Sequence, residues 1–93
     1  MSIKINIPAY FQRYTNGVEV AEVNGTTVGE CLGDLVKQFP SLDTMLFYEP
    51  GDLDDCIAVG VNGELFTAWE EPLKKPVVDG DELSLLIFGV GGG

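Results

Sequence analysis

Residues 27–40 read TVGECLGDLVKQFP, and only an α-helix gathers their apolar side chains on one side. Val28, Cys31, Leu32, Leu35, Val36 and Phe39 recur at the three-and-four spacing of an amphipathic helix, with Glu30, Asp34 and Lys37 opposite. Thr27 and Glu30 have the T-x-x-E form of a capping box, in which hydroxyl and carboxylate satisfy free amide groups at a helix start. Pro40 ends the run, because proline has no N–H and blocks the preceding turn. Gly29 and Gly33 each cost about 1 kcal/mol relative to alanine inside a helix, so this helix depends on packing. A single apolar stripe needs an apolar surface to lie on, and the rest of the chain offers strands to provide it.

Ile3, Ile5 and Ile7 alternate with Lys4 and Asn6, the period of a half-buried strand that Pro8 closes. After the loop AYFQRYTNG, Val18 and Val20 alternate with Glu19, and the pattern slips at Ala21-Glu22-Val23, which predicts a strand with a bulge. These two segments are expected to form a hairpin. Ile57, Val59 and Val61 alternate ahead of Asn62-Gly63, the favoured type I′ turn pair, and Leu65 and Phe66 follow; this predicts a second hairpin. Asp79-Gly80 is a turn. The last strand ends Leu85-Leu86-Ile87-Phe88, a continuous apolar run that implies cover on both faces, from a central place in the sheet or from a partner. The segment from Ser41 to Asp55 is expected to be a short helical turn and an irregular loop; its acidic residues lack the spacing of a calcium loop. The order strand, strand, helix, strand, strand, irregular segment, strand predicts an α+β domain, a mixed sheet of about five strands with one main helix on one face.

The 93 residues suffice for one domain with its own core. We assign 1–88 to it and 89–93 to a flexible tail. Five basic against fifteen acidic residues leave a formal charge of −10, with eleven of the acids after residue 40. Such a chain repels nucleic acid and complements a basic protein surface. No apolar run approaches a membrane span and the opening MSIKINIPAYF lacks a leader pattern, so a cytoplasmic location is expected, with no membrane partner. Two cysteines are too few for a zinc or four-cysteine iron–sulfur site; no metal or bound cofactor is expected. Cys31 belongs on the buried helix stripe. Cys56 reads as core or as a reactive thiol.

The sequence closes FGVGGG. A glycine run cannot pack or hold a fixed path, so the tail has no part in the fold and its use lies elsewhere. It lacks the length and following helix of a nucleotide-binding glycine motif. The chain contains no histidine and shows no serine–base pair, so it is expected to supply no catalyst of its own and not to be an enzyme.

With this order of elements, the chain resembles the ThiS/MoaD family of β-grasp (ubiquitin-like) sulfur carriers over nearly its whole length. Thr27-Val28 opening a helix that ends Phe39-Pro40, the Val61-Asn62-Gly63-Glu64 hairpin, and Leu73 through Asp79-Gly80-Asp81-Glu82 leading to Gly92-Gly93 carry the resemblance. It is nearest to the small subunit of molybdopterin synthase, on chain length and the long segment between helix and hairpin. The resemblance implies that an adenylyltransferase related to ubiquitin-activating enzymes uses ATP to activate the carboxyl group of Gly93. A desulfurase or rhodanese-type donor then converts it to a thiocarboxylate, and an acceptor such as the molybdopterin synthase large subunit takes the sulfur. Supply to thiamine, cysteine or homocysteine synthesis, conjugation through Gly93 to lysines of target proteins, or a β-grasp module with an inert tail are the alternatives. Gly91 and Gly92 would enter the partner's active site. Phe88, Ile87 and Phe66 are candidates for docking, each also readable as core, and Trp69 reads equally as a satellite core anchor or a contact.

Overall fold

The computed structural model describes residues 2–49 and 52–88. Strands β1 (Ile3–Asn6), β2 (Val20–Val23), β5 (Ile57–Val61), β6 (Glu64–Thr67) and β7 (Glu82–Ile87) form a five-stranded mixed sheet in the order β2-β1-β7-β5-β6. β1 and β7 run parallel at its centre, and every other neighbouring pair is antiparallel. Helix α2 (Val28–Gln38) covers one face. This is the expected β-grasp arrangement of a mixed sheet and one main helix.

The helix forms where its stripe predicts. Val28, Cys31, Leu32 and Leu35 are buried, and Val36 and Phe39 pack half-buried against the same core. Thr27 Oγ1 accepts from the Glu30 N–H at 3.1 Å. The return contact is shifted by one residue: the Glu30 carboxylate accepts from the N–H and hydroxyl of Thr26, both at 2.7 Å, and not from Thr27. These two hydrogen bonds to Thr26 hold the Glu30 carboxyl below its usual pKa. The strand facing the helix supplies Ile3, Ile5 and Ile7, all buried.

Three sequence expectations need correction. The ladder between β1 and β2 is regular from Ile3↔Val23 to Asn6↔Val20, with no bulge. Ala21 and Val23 face the core and Val20 is 48% exposed, because the register is set by pairing with β1 and not by Val18 and Val20. In the AYFQRYTNG loop, residues Ala9–Gln12 form a single turn, α1, whose Phe11 is fully buried. Beyond Pro40 the expected helical turn is present, as a 3₁₀ turn (Pro40–Leu42) leading into α3 (Asp43–Leu46), but in place of the irregular loop stand short strands β3 (Phe47–Glu49) and β4 (Asp52–Leu53) that pair antiparallel. Leu42, Leu46 and Leu53 anchor this excursion in the core.

The second hairpin has the predicted turn. Asn62 and Gly63 have φ of 51° and 92°, the left-handed pair that a type I′ connection requires. Asn62 also ties the hairpin to the start of β7: its Oδ1 accepts from the Glu82 N–H at 2.9 Å and its Nδ2 donates to Asp81 Oδ1 at 3.1 Å. After β6, two 3₁₀ turns (Ala68–Glu70 and Pro72–Lys74) carry the chain to α2. There the Val28 N–H donates to the Lys75 carbonyl and the Val77 N–H to that of Thr26.

Candidate functional site

β7 is central, yet its two faces differ. Its register with β5 pairs Leu83 with Val61, Leu85 with Val59 and Ile87 with Ile57. These are the core-facing positions, since Leu83, Leu85, Val59 and Ile57 are buried against the helix side. On the other face Ser84 lies opposite Gly60, and Leu86 opposite Ala58. A hydrogen bond from the Phe88 N–H to the Cys56 carbonyl, 2.7 Å, carries the ladder one residue past β7. Strand alternation therefore puts Phe88 on the same outer face as Leu86. From β6, Leu65 pairs with Gly60 on that face.

The result is a small apolar platform. Ala58 and Gly60 form its floor, buried although they have little or no side chain. Leu65, 52% exposed, and Phe88, 49% exposed, stand beside half-buried Leu86. A β-carbon on Gly60 would come within 3.3 Å of Ser84 Cβ and 3.5 Å of Leu65 Cδ2, so glycine there lets Leu65 lie down over the strand. Toward β1 and β2 the same face turns polar. Lys4 pairs with Glu22 on one side and Glu82 on the other, and Asn6 Nδ2 donates to Ser84 Oγ at 3.3 Å. An apolar centre with a charged margin is the anatomy of a protein-binding surface. The continuous apolar run of the last strand thus has protein cover on the helix side only, and a partly open second face.

The sequence candidates fall in different places. Phe88 belongs to the platform. Ile87 is half-buried on the opposite side, where it lines a cleft of about 170 Å³ with Tyr10, Met45 and Cys56. Phe66 pairs with Val59 and so faces the helix side; Lys75 Nζ sits 4.0 Å from its ring centre. The structure does not bring the three together. Leu65 and Leu86 complete the platform, and sequence reading passed over both. Counting back by two from Phe88, and across the Asn62-Gly63 hairpin, would have found them. Gly91, Gly92 and Gly93 lie outside the described residues.

The cysteines separate. Cys31 is fully buried. Cys56 is exposed, not core. Loss of solvation, then the nearby carboxylates of Asp54 and Asp55, push its thiol above the usual range, which leaves less thiolate near neutral pH than a free cysteine has. Trp69 is 72% exposed, so it is no core anchor. Among the described residues no group of metal-ligating side chains gathers, and no helix is long and apolar enough to cross a membrane.

Comparison with known proteins places this geometry in context. The model of the ThiS family matches residues 5–93. No curated protein matches the sequence. Among solved structures, SAMP1 from Haloferax volcanii is 31% identical, with a TM-score of 0.84 and full coverage of both chains. The BexX/CysO complex of Amycolatopsis orientalis matches at 27% identity and TM-score 0.80, over 91% of this chain and 93% of that one. In the complex of subunits 1 and 2 of the molybdopterin-converting factor from Helicobacter pylori, a chain 20% identical matches at TM-score 0.60, over 94% and 93% of the two chains; that likeness is one of fold.

Proposed function

The chain belongs to the ThiS family, and from that premise we propose that it is a sulfur carrier whose Gly93 carboxyl group is adenylated and then converted to a thiocarboxylate. A carboxylate is a stabilised anion with a pKa of about 3.3 to 3.7 and acylates poorly. Joining it to AMP, with release of pyrophosphate from a partner's ATP, supplies a leaving group that the outer sulfur of a donor's persulfide displaces, and a thiol then cleaves the resulting acyl disulfide, ending in a disulfide with the donor and freeing the thiocarboxylate. The thiocarboxylate anion is then a soft nucleophile for an acceptor. Catalytic groups come from the partners; this chain supplies the reacting end and the surface by which it is held.

The observation that carries this reading is the continuity of the platform with the tail. Phe88 is at once an exposed member of the Leu65–Leu86–Phe88 face and the last described residue before Gly89. Five further residues at about 3.3 to 3.6 Å each span roughly 16 to 18 Å, enough for Gly93 to enter an active site while the platform rests on the partner's surface. Of the possible acceptors we put molybdopterin synthesis first, on the length of the segment between helix and hairpin, ahead of thiamine, cysteine or homocysteine synthesis. The test is an intact-mass measurement of the protein from its own host. Replacement of one terminal oxygen by sulfur is expected; a tail that never gains sulfur in the presence of activator, donor and ATP rejects the proposal.

A second reading is conjugation through Gly93 to lysines of other proteins. The 31% identity to SAMP1, whose fold it shares end to end, favours keeping it, since another solved structure of that protein is described as a small archaeal modifier protein. It predicts higher-mass adducts that survive reducing agents and leave a glycine remnant on lysine, whereas the carrier gives none.

A further inference from the structure

Trp69 has no place in the function just proposed. It stands 72% exposed at a cleft of about 550 Å³ formed where the two 3₁₀ turns after β6 face β4. Its lining combines apolar Leu53, Pro72 and Leu73 with acidic Asp52, Asp55 and Glu71. None of the residues lining the cleft belongs to the Leu65–Leu86–Phe88 platform. Its volume lies within the range of about 300 to 1,000 Å³ in which binding pockets fall.

The chain's own aromatic rings indicate the class of occupant. Among the described residues, Arg13 lies over Tyr10, 5.4 Å from the ring centre, and Lys75 over Phe66 at 4.0 Å. No cation among the described residues lies over Trp69, although indole is the strongest ring for such a contact. Lys74, which lines the same cleft, is turned to Glu71 at 3.1 Å. Three carboxylates against that one ammonium leave the lining with an excess of negative charge, beside an indole face open to solvent. A second copy of this chain, at a formal charge of −10, is electrostatically the wrong partner.

We infer that the Trp69 cleft is a second docking site, which takes an arginine- or lysine-bearing segment of a partner protein, its cationic group laid on the indole and its charge met by Asp52, Asp55 and Glu71. The site works apart from the platform, so a partner that engages both would grip the carrier at two places while the tail is in use.

Trp69 is the sole tryptophan, so intrinsic fluorescence reads this cleft directly. The full chain is titrated with tetra-arginine amide at low salt. A saturable change in Trp69 emission is expected, weakened about fivefold in Asp52→Asn/Asp55→Asn, the scale of two exposed ion pairs. Glu19→Gln/Glu64→Gln removes the same charge from exposed positions outside the cleft and is expected to leave the affinity within about twofold. Calorimetry with Trp69→Ala should show the saturable heat lost. Equal weakening by both charge pairs would reduce the effect to net charge and overturn the site, as would absence of any saturable change in emission. Sulfur loading at Gly93 is read separately by mass, so failure here leaves the carrier reading standing, and the reverse.

Discussion

Leu65 lies across Gly60 on the outer face of the sheet, its Cδ2 3.5 Å from the point where a β-carbon on Gly60 would stand. The contact makes a platform out of a hairpin, because a side chain at residue 60 would displace Leu65 or Ser84. Under the proposed function, Leu65→Ser and Phe88→Ala are each expected to weaken binding of the activating partner about tenfold or more, as removal of a central apolar contact does. Their thermal midpoints should stay near that of the wild type, since both side chains are about half exposed. Calorimetric binding beside a thermal melt checks the pair. Unchanged binding with a lowered midpoint would mean that these residues serve the fold.

Gly93→Ala, or one residue added after Gly93, is expected to abolish thiocarboxylate formation with the melting curve unchanged. Under the proposed function, a β-carbon at Gly93 would obstruct close approach of the activating partner, and an added residue would move the carboxyl group away from it. Single-turnover adenylation and intact mass measure it.

Gly33 and Gly29 share a helix and differ in what surrounds them. A β-carbon on Gly33 meets nothing within 4 Å, whereas one on Gly29 would press to 3.1 Å against the Leu73 carbonyl oxygen. Gly33→Ala should stabilise the protein by about 1 kcal/mol, the helix-propensity difference. Gly29→Ala should gain less or lose stability, because the Pro72–Lys74 turn must retreat. Urea unfolding distinguishes them.

Acid should loosen the protein at identifiable joints. The carboxyl groups of Glu30, Glu70 and Asp81 are lowered, chiefly by hydrogen bonds from the Thr26, Thr67 and Val78 N–H groups respectively. A folded-state pKa below the unfolded one gives stability that is present above the unfolded value and lost as pH falls through the folded value. Stability should therefore decline below about pH 4.5, the ordinary glutamate value from which Glu30 and Glu70 are lowered. Glu30→Gln should flatten that decline while costing stability at neutral pH. Chemical denaturation at several pH values tests the sign.

Cys56 should react with a thiol reagent more slowly than free cysteine at neutral pH, and faster as pH rises past its ordinary value of 9.0. Cys31, fully buried, should react only on unfolding. Stopped-flow labelling with and without denaturant resolves the two.

Local pattern sufficed for the elements. The stripe from Val28 to Phe39, the alternation of Ile3, Ile5 and Ile7, and the Asn62-Gly63 turn each act through neighbours a few residues apart, so helix, first strand and second hairpin were readable from the chain itself, and with them the α+β class. Register was not. Whether Val20 or Ala21 faces inward depends on pairing with β1, and the misreading of β2 came from treating the strand alone. The site followed the same rule: Leu86 and Phe88 lie on one stretch of alternation and Leu65 on another, and they become one surface only when β6, β5 and β7 pair, while Ile87 and Phe66 are turned away by that pairing. Periodicity says that a strand has two faces; contact with the rest of the molecule decides which one is left for a partner.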